Sequence, residues 1–162
     1  MQWWQYIVPA ILLAMIAVID LRRYIIPDRL LVFILCSVSL SDLIVQQGNV
    51  WAFLLATGYR IGNGLTIFVP LLLLVLLMDK LLQKETMGGG DIKLMFVVGY
   101  AMGMLQAYVV LYMACLIGLV WQLYMQWKRG AYLLPFGPSI AIACVMVALY
   151  GTALQEKFFN IL

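Results

Sequence analysis

The chain has 162 residues, 66% of them hydrophobic and only 10% charged, with a mean hydropathy of +1.05 and a formal net charge of +3. A soluble domain carries about a quarter charged residues, so an ordinary water-soluble bundle is excluded. The apolar runs are continuous rather than alternating, which excludes a transmembrane barrel and leaves an all-α, polytopic membrane protein of about six transmembrane helices.

The first predicted helix covers Trp4 to Ile19 and ends at Asp20. Met1-Gln2-Trp3-Trp4 lacks a basic segment and a small-x-small cleavage site, so this run reads as a retained span and not a signal peptide. The Trp pair and Tyr6 suit a bilayer interface. The connection reads "DLRRYIIPDRL"; Pro27 primes the second helix, Arg29 to Val45, and puts Asp28 near a helix N-terminus, where an acid is favourable. After the turn "QQGN" a third helix runs from Trp51 to Leu82. It contains Gly58, Gly62, Gly64 and Pro70, and the proline predicts a bend. A fourth begins at Asp91 and ends near Met102, a fifth covers Leu105 to Gln126, and a sixth Pro138 to Leu154. No internal repeat stands out, so residues 1–162 read as one membrane-embedded domain.

The basic residues sort by side. Arg22, Arg23 and Arg29 lie between the first two helices, Lys80, Lys84 and Lys93 around the third and fourth, and Lys128 and Arg129 between the fifth and sixth. Lys157 is on the other side, and Arg60 lies inside the third helix. Positive charge marks the cytoplasmic face, so both termini are expected to be non-cytoplasmic. This distribution explains the net charge without nucleic acid as a partner. Arg60 has two readings: an intramembrane functional charge, or a side chain snorkelling from a helix end.

Cysteines 36, 115 and 144 form no CxxC pair and the chain has no histidine, so no metal site or cofactor is expected and the thiols read as small buried hydrophobes. Two of the seven acids stand apart. Asp20 closes the first helix, where a carboxylate opposes the macrodipole, with Arg22 and Arg23 available to offset its charge. Asp91 follows Gly88-Gly89-Gly90 in "ETMGGGDIKLM". Glycine allows positive φ and close backbone approach. Asp91 then stands where an N-cap would, and the helix N-terminus would lower its pKa. Taken alone, the stretch is satisfied by a flexible loop and a cap. It fits neither GxGxxG nor a P-loop. The pair says more than either member. Two carboxylates at the same membrane edge can share one proton, with one acting as base on water and the other as acid toward a carbonyl oxygen.

"MGGGDIKLM", "IDLRRYIIPDRL" and "LLPFGPSIAIA" together resemble the motifs of the type IV prepilin peptidases, the GxGD class of membrane aspartyl proteases. The resemblance implies Asp20 and Asp91 as catalytic residues. It surrounds them with a supporting loop of Gly88, Gly89, Gly90 and Lys93, together with Pro27 and Asp28. Lys93 has two readings, a holder of that loop or a snorkelling cation. Pro135, Gly137 and Pro138 read as shaping the turn into the last helix. The implied activity is cleavage of the short basic leader of prepilin-like proteins, after a glycine and before an apolar helix, in type IV pilus assembly or protein secretion. The implied location is the cytoplasmic (inner) membrane. The expected partners are the prepilin-like substrate and the lipid bilayer, with a homo-oligomer left open. The chain looks like the short Flp/Tad-type and archaeal preflagellin forms, without the CxxC-bearing extension linked to N-methylation. Two other classes remain at this point, a small proton-coupled transporter and a non-catalytic membrane assembly subunit.

Overall fold

The computed structural model describes residues 4–46, 49–84, 86–129 and 136–159, with side chains over 7–46, 49–84, 86–128 and 136–150. The expectations for Trp3, Gln47, Gly48, Glu85 and Pro135, and those for the side chains of Trp4, Tyr6, Arg129 and Lys157, lie outside the described residues. All regular structure among the described residues is helical. The elements are α1 (Trp4–Arg23), α2 (Asp28–Val45), α3 (Val50–Leu82), α4 (Gly89–Met102), α5 (Met104–Arg129) and α6 (Gly137–Phe159).

The six apolar runs become six helices, with two informative differences at their ends. Helix α1 continues past Asp20 to Arg23, because Arg22 and Arg23 in its last turn complement the macrodipole. Tyr24 then takes the left-handed conformation at φ 55°, its N–H bonding to the Asp20 carbonyl at 2.8 Å. That is a helix-ending bond, made by a residue that pays a steric cost for it. At the other site α4 starts at Gly89, two residues before the expected Asp91, with Gly88 as the N-cap residue at φ −64°. The separation of α4 from α5 rests on Gly103. Its φ of 94° lies where a side chain is strained, and its N–H closes α4 on the Gly99 carbonyl at 3.0 Å.

Helix α4 is the centre of the bundle. It packs on α2, α3, α5 and α6, and Ile92, Leu94, Met95, Val97, Val98, Gly99 and Tyr100 are all buried. Helix α3 does the reverse. It buries only Gly64, Ile67, Leu71 and Val75, and presents Leu55, Leu73 and Leu77 outward. An exterior this apolar would be an aggregation surface in water and fits a lipid environment. Helices α3 and α5 are long and apolar enough to cross a membrane. Cys144 is buried as expected, but Cys36 and Cys115 are exposed on the helix exteriors. An apolar run in a lipid-facing helix does not have to point inward.

Helices α3 and α4 meet through glycine. A Cβ on Gly99 would lie 3.0 Å from the Asn63 carbonyl oxygen, the Gly64 Cα and Ile67 Cγ2. Two of these are backbone atoms, which cannot rotate away. Gly99→Ala is therefore expected to lower stability by about 1–3 kcal/mol, the usual range for overpacking. Gly58→Ala, where a Cβ would meet nothing within 4 Å, is expected to be neutral or slightly stabilising. Reversible unfolding in mixed micelles compares the two.

The charged residues inside the bundle form a second unit. Asp42 on α2 accepts from Arg60 on α3 through two bonds, Nε to Oδ2 at 2.5 Å and Nη2 to Oδ1 at 2.8 Å. Arg60 Nη1 also donates to the Tyr100 and Ala101 carbonyls at 3.2 and 3.1 Å. These belong to the last turn of α4, whose carbonyls have no partner within the helix. Arg60 is thus the cation that ends α4, neutralised by Asp42, and not a snorkelling side chain. Ser39 Oγ donates to the Leu35 carbonyl, so its 2.6 Å contact with Tyr100 is donated by the tyrosine hydroxyl.

Candidate active site

The site is built where the start of α4, the end of α1 and the start of α6 meet. On α1, Ile16 and Asp20 are one turn apart on the same face; Ile16 is fully buried and Asp20 only 4% exposed. The α1–α2 connection tucks Ile26 under the glycine run. A Cβ on Gly90 would lie 3.0 Å from the Ile26 Cβ, so a side chain there would push α4 off the connection. The run serves close approach rather than unusual φ, because Gly103 is the glycine with positive φ among the described residues. Asp91, the third residue of α4, donates its N–H to the Gly88 carbonyl at 3.0 Å. It is an acid in the first turn and not the N-cap.

The electrostatics of Asp91 also differ from expectation. Both aspartates lie just beyond the apolar runs, Asp20 after Ile19 and Asp91 before Ile92. Burial pushes Asp91 up to about 7, and the negative charge of Asp20 pushes in the same direction. Desolvation and a like charge outweigh the helix N-terminus. Asp91 Oδ1 is buried with no hydrogen-bond partner among the described residues. Burial also raises the Asp20 carboxyl, opposed by one hydrogen bond, from Gly137 N–H to Oδ2 at 3.0 Å. Arg22 and Arg23 are exposed and form no ion pair with Asp20. Its charge is met by backbone, not by the arginines expected to offset it.

The other expected site residues frame the pair. Pro27 is the N-cap residue of α2, followed by Asp28 in the first turn. Lys93 Nζ donates to both Asp28 oxygens at 2.9 Å, tying the start of α4 to the start of α2. Both are exposed, so this pair is worth roughly 0–1 kcal/mol. Asp79 accepts from the N–H and hydroxyl of Thr86 at 2.7 and 2.6 Å, bracing the loop that leads to Gly88. An apolar cavity lined by Leu13, Ile34, Val38, Leu94 and Cys144 has Arg60 on its wall, and neither Asp20 nor Asp91 lines it.

Gly137 is the site residue that sequence reasoning placed in a turn and no further. Its signal was the "FGP" at the opening of a helix, where a free N–H is available to an anion.

The arrangement brings a buried carboxylate, Asp20, and a half-buried one, Asp91, from separate helices within electrostatic reach of each other. The profile of the type IV leader peptidase family matches residues 7–123, and the chain belongs to that family. It is also similar to a prepilin leader peptidase/N-methyltransferase of Bacillus subtilis, at 28% identity over 92% of this chain and 56% of the relative. The chain therefore spans little more than half the length of that relative. No solved structure matches it.

Proposed function

We propose that the chain is a membrane aspartic endopeptidase that removes the short basic leader of prepilin-like proteins at the cytoplasmic boundary of the inner membrane. One observation carries the reading. Two carboxylates, the buried Asp20 and the half-buried Asp91, from helices far apart in sequence, sit at one end of the bundle and act on each other electrically. Family membership supports a leader peptide as substrate.

The pair works with a single proton. The ionised carboxylate takes a proton from water as the oxygen attacks the scissile carbonyl carbon. The neutral carboxyl gives its proton to the carbonyl oxygen, forming a tetrahedral gem-diol. Return of a proton to the amide nitrogen lets the C–N bond break, which releases the trimmed chain with a free amine. The helices cross the bilayer with the basic connections on the cytoplasmic side. The substrate's basic leader stays there while its apolar segment enters lipid, so the scissile bond meets the pair at the boundary.

The pH dependence follows from Asp91. Once it ionises, no proton is left for the carbonyl oxygen, so cleavage is expected to fall as pH rises through about 7. The fold follows the same sign. A carboxyl raised from 3.8 to about 7 contributes its full share of stability below 3.8 and loses it as pH climbs through about 7. A pH series of cleavage rates, with unfolding followed in parallel, checks both.

The test of the function is cleavage by the purified chain in liposomes against a panel of prepilin-like substrates, with sequencing of the new N-terminus. A cut after a leader glycine supports the reading. Intact substrates across the panel with a folded, inserted enzyme speak against it.

A further inference from the structure

We propose that Gly137, through its backbone N–H at the start of α6, is a positioning residue that holds Asp20 as the ionised member of the pair and leaves Asp91 to carry the shared proton. The proposal rests on the two-aspartate peptidase reading above and adds a division of roles within it.

Three observations carry it. The Gly137 N–H donates to Asp20 Oδ2 at 3.0 Å in a buried setting, and it is among the first N–H groups of α6, which have no acceptor within their helix. A hydrogen bond to a carboxylate is roughly twice as strong as one between neutral groups, and the helix N-terminus adds partial positive charge. Both favour the anion on Asp20. The approach is also as close as a backbone can make it. A Cβ on Gly137 would lie 2.5 Å from Asp20 Oδ2 and 3.1 Å from its Cγ, so the contact exists only because this residue has no side chain. Asp91 Oδ1 is buried without a hydrogen-bond partner among the described residues, a setting that penalises a carboxylate far more than a neutral carboxyl whose O–H is free to turn toward substrate.

Among the charges whose side chains are described, none on the packed elements overrides this division. Helix α1 packs on α2 and α6, and α4 packs on α2, α3, α5 and α6. Asp28 on α2 and Lys93 on α4 neutralise each other, as do Asp42 on α2 and Arg60 on α3. Arg22, Arg23, Arg29 and Lys80 are exposed, Asp79 is held by Thr86, and Lys128 at the end of α5 lies over the Tyr124 ring. Tyr100 is bonded to Ser39, and Cys144 on α6 lines the apolar cavity. Over residues 137–150, the part of α6 whose side chains are described, none is charged.

The test exchanges the Phe136–Gly137 amide for an ester, which deletes the N–H and adds no side chain. Leader cleavage is then followed across pH. The pair is active as a monoanion, so the rate rises through its first ionisation and falls through its second. With Asp20 as the anion, the ester moves the acid limb up by about one pH unit. The alkaline limb stays in place, because Asp20 is charged on both sides of the second ionisation. If the alkaline limb moves up and the acid limb stays, Asp20 carries the proton and the proposal is overturned. A uniform fall in kcat with neither limb moved also overturns it, since the residue is then only structural. Gly137→Ala, which keeps the N–H but displaces Asp20, is expected to shift the acid limb in the same direction as the ester. Infrared titration of the two carboxyls, assigned with Asp20→Asn and Asp91→Asn, needs no substrate and so separates this proposal from the peptidase reading. Asp20 is expected to ionise first, with the ester narrowing the gap. Asp91 ionising first contradicts the proposal whether or not any leader is cut.

Discussion

Asp20→Asn and Asp91→Asn are each expected to lower leader cleavage by about 10³-fold or more while the bundle stays folded. The size comes from the chemistry. General acid–base catalysis contributes about 10²–10⁴-fold, and a group that works only as half of a pair takes most of the pair's contribution with it. The preserved fold comes from the geometry. Asparagine keeps the volume of aspartate, and at position 20 its amide oxygen can still accept from the Gly137 N–H. At position 91 the amide replaces a carboxyl that burial already disfavours as an anion. Neither change leaves a lone buried charge, so neither incurs the usual penalty of breaking an ion pair. Rates in liposomes, paired with circular dichroism of the same samples, check both halves of the expectation.

The second large effect concerns stability. Arg60→Met is expected to destabilise the bundle by on the order of 3 kcal/mol, the lower end for a broken buried pair, because the Arg60 side chain keeps 26% of its exposure. Two losses combine. Asp42 is left as an uncompensated carboxylate with 11% side-chain exposure, and the Tyr100 and Ala101 carbonyls lose their donor. Helix α4 has 14 residues, so at 1.5 Å per residue it is about 21 Å long, against a hydrocarbon core of about 30 Å. If it enters at the boundary that holds Asp91, its last turn ends inside the lipid, where an unsatisfied carbonyl costs several kcal/mol. Adding Asp42→Asn to Arg60→Met removes the stranded charge and is expected to recover part of the loss. Equal stability of Arg60→Met and wild type in micelle unfolding would contradict this role. So would a double variant no more stable than the single.

Much of this was legible in the chain. The six apolar runs became six helices because a helix satisfies the backbone of a continuous apolar run within the run itself. Asp20 and Asp91 were legible as charges at the ends of such runs, where they need a reason to be. The partners were less legible, because they are fixed by packing across long separations. Asp42 and Arg60 lie on different helices, and neither carries a motif. A charge inside a span does demand an opposite charge, and Asp42 and Glu156 were the two acids lying off the basic face. Gly137 was read as a turn residue because sequence shows where a glycine permits a bend, not which carboxylate will come to rest against its N–H. The raised Asp91 went against expectation for a related reason. The helix N-terminus is visible in sequence, whereas the desolvation that outweighs it exists only once α4 is packed at the centre of the bundle.

The measurement that bears most directly on the central claim is a double-variant cycle on the pair. Single-turnover leader cleavage would be followed for wild type, Asp20→Asn, Asp91→Asn and the double variant in the same bilayer. If the two carboxylates act as one unit, the double variant is no slower than either single variant, because the first loss already removes what the second could. If either single variant retains a rate within about tenfold of wild type, or if the two losses multiply, Asp20 and Asp91 do not form the catalytic pair.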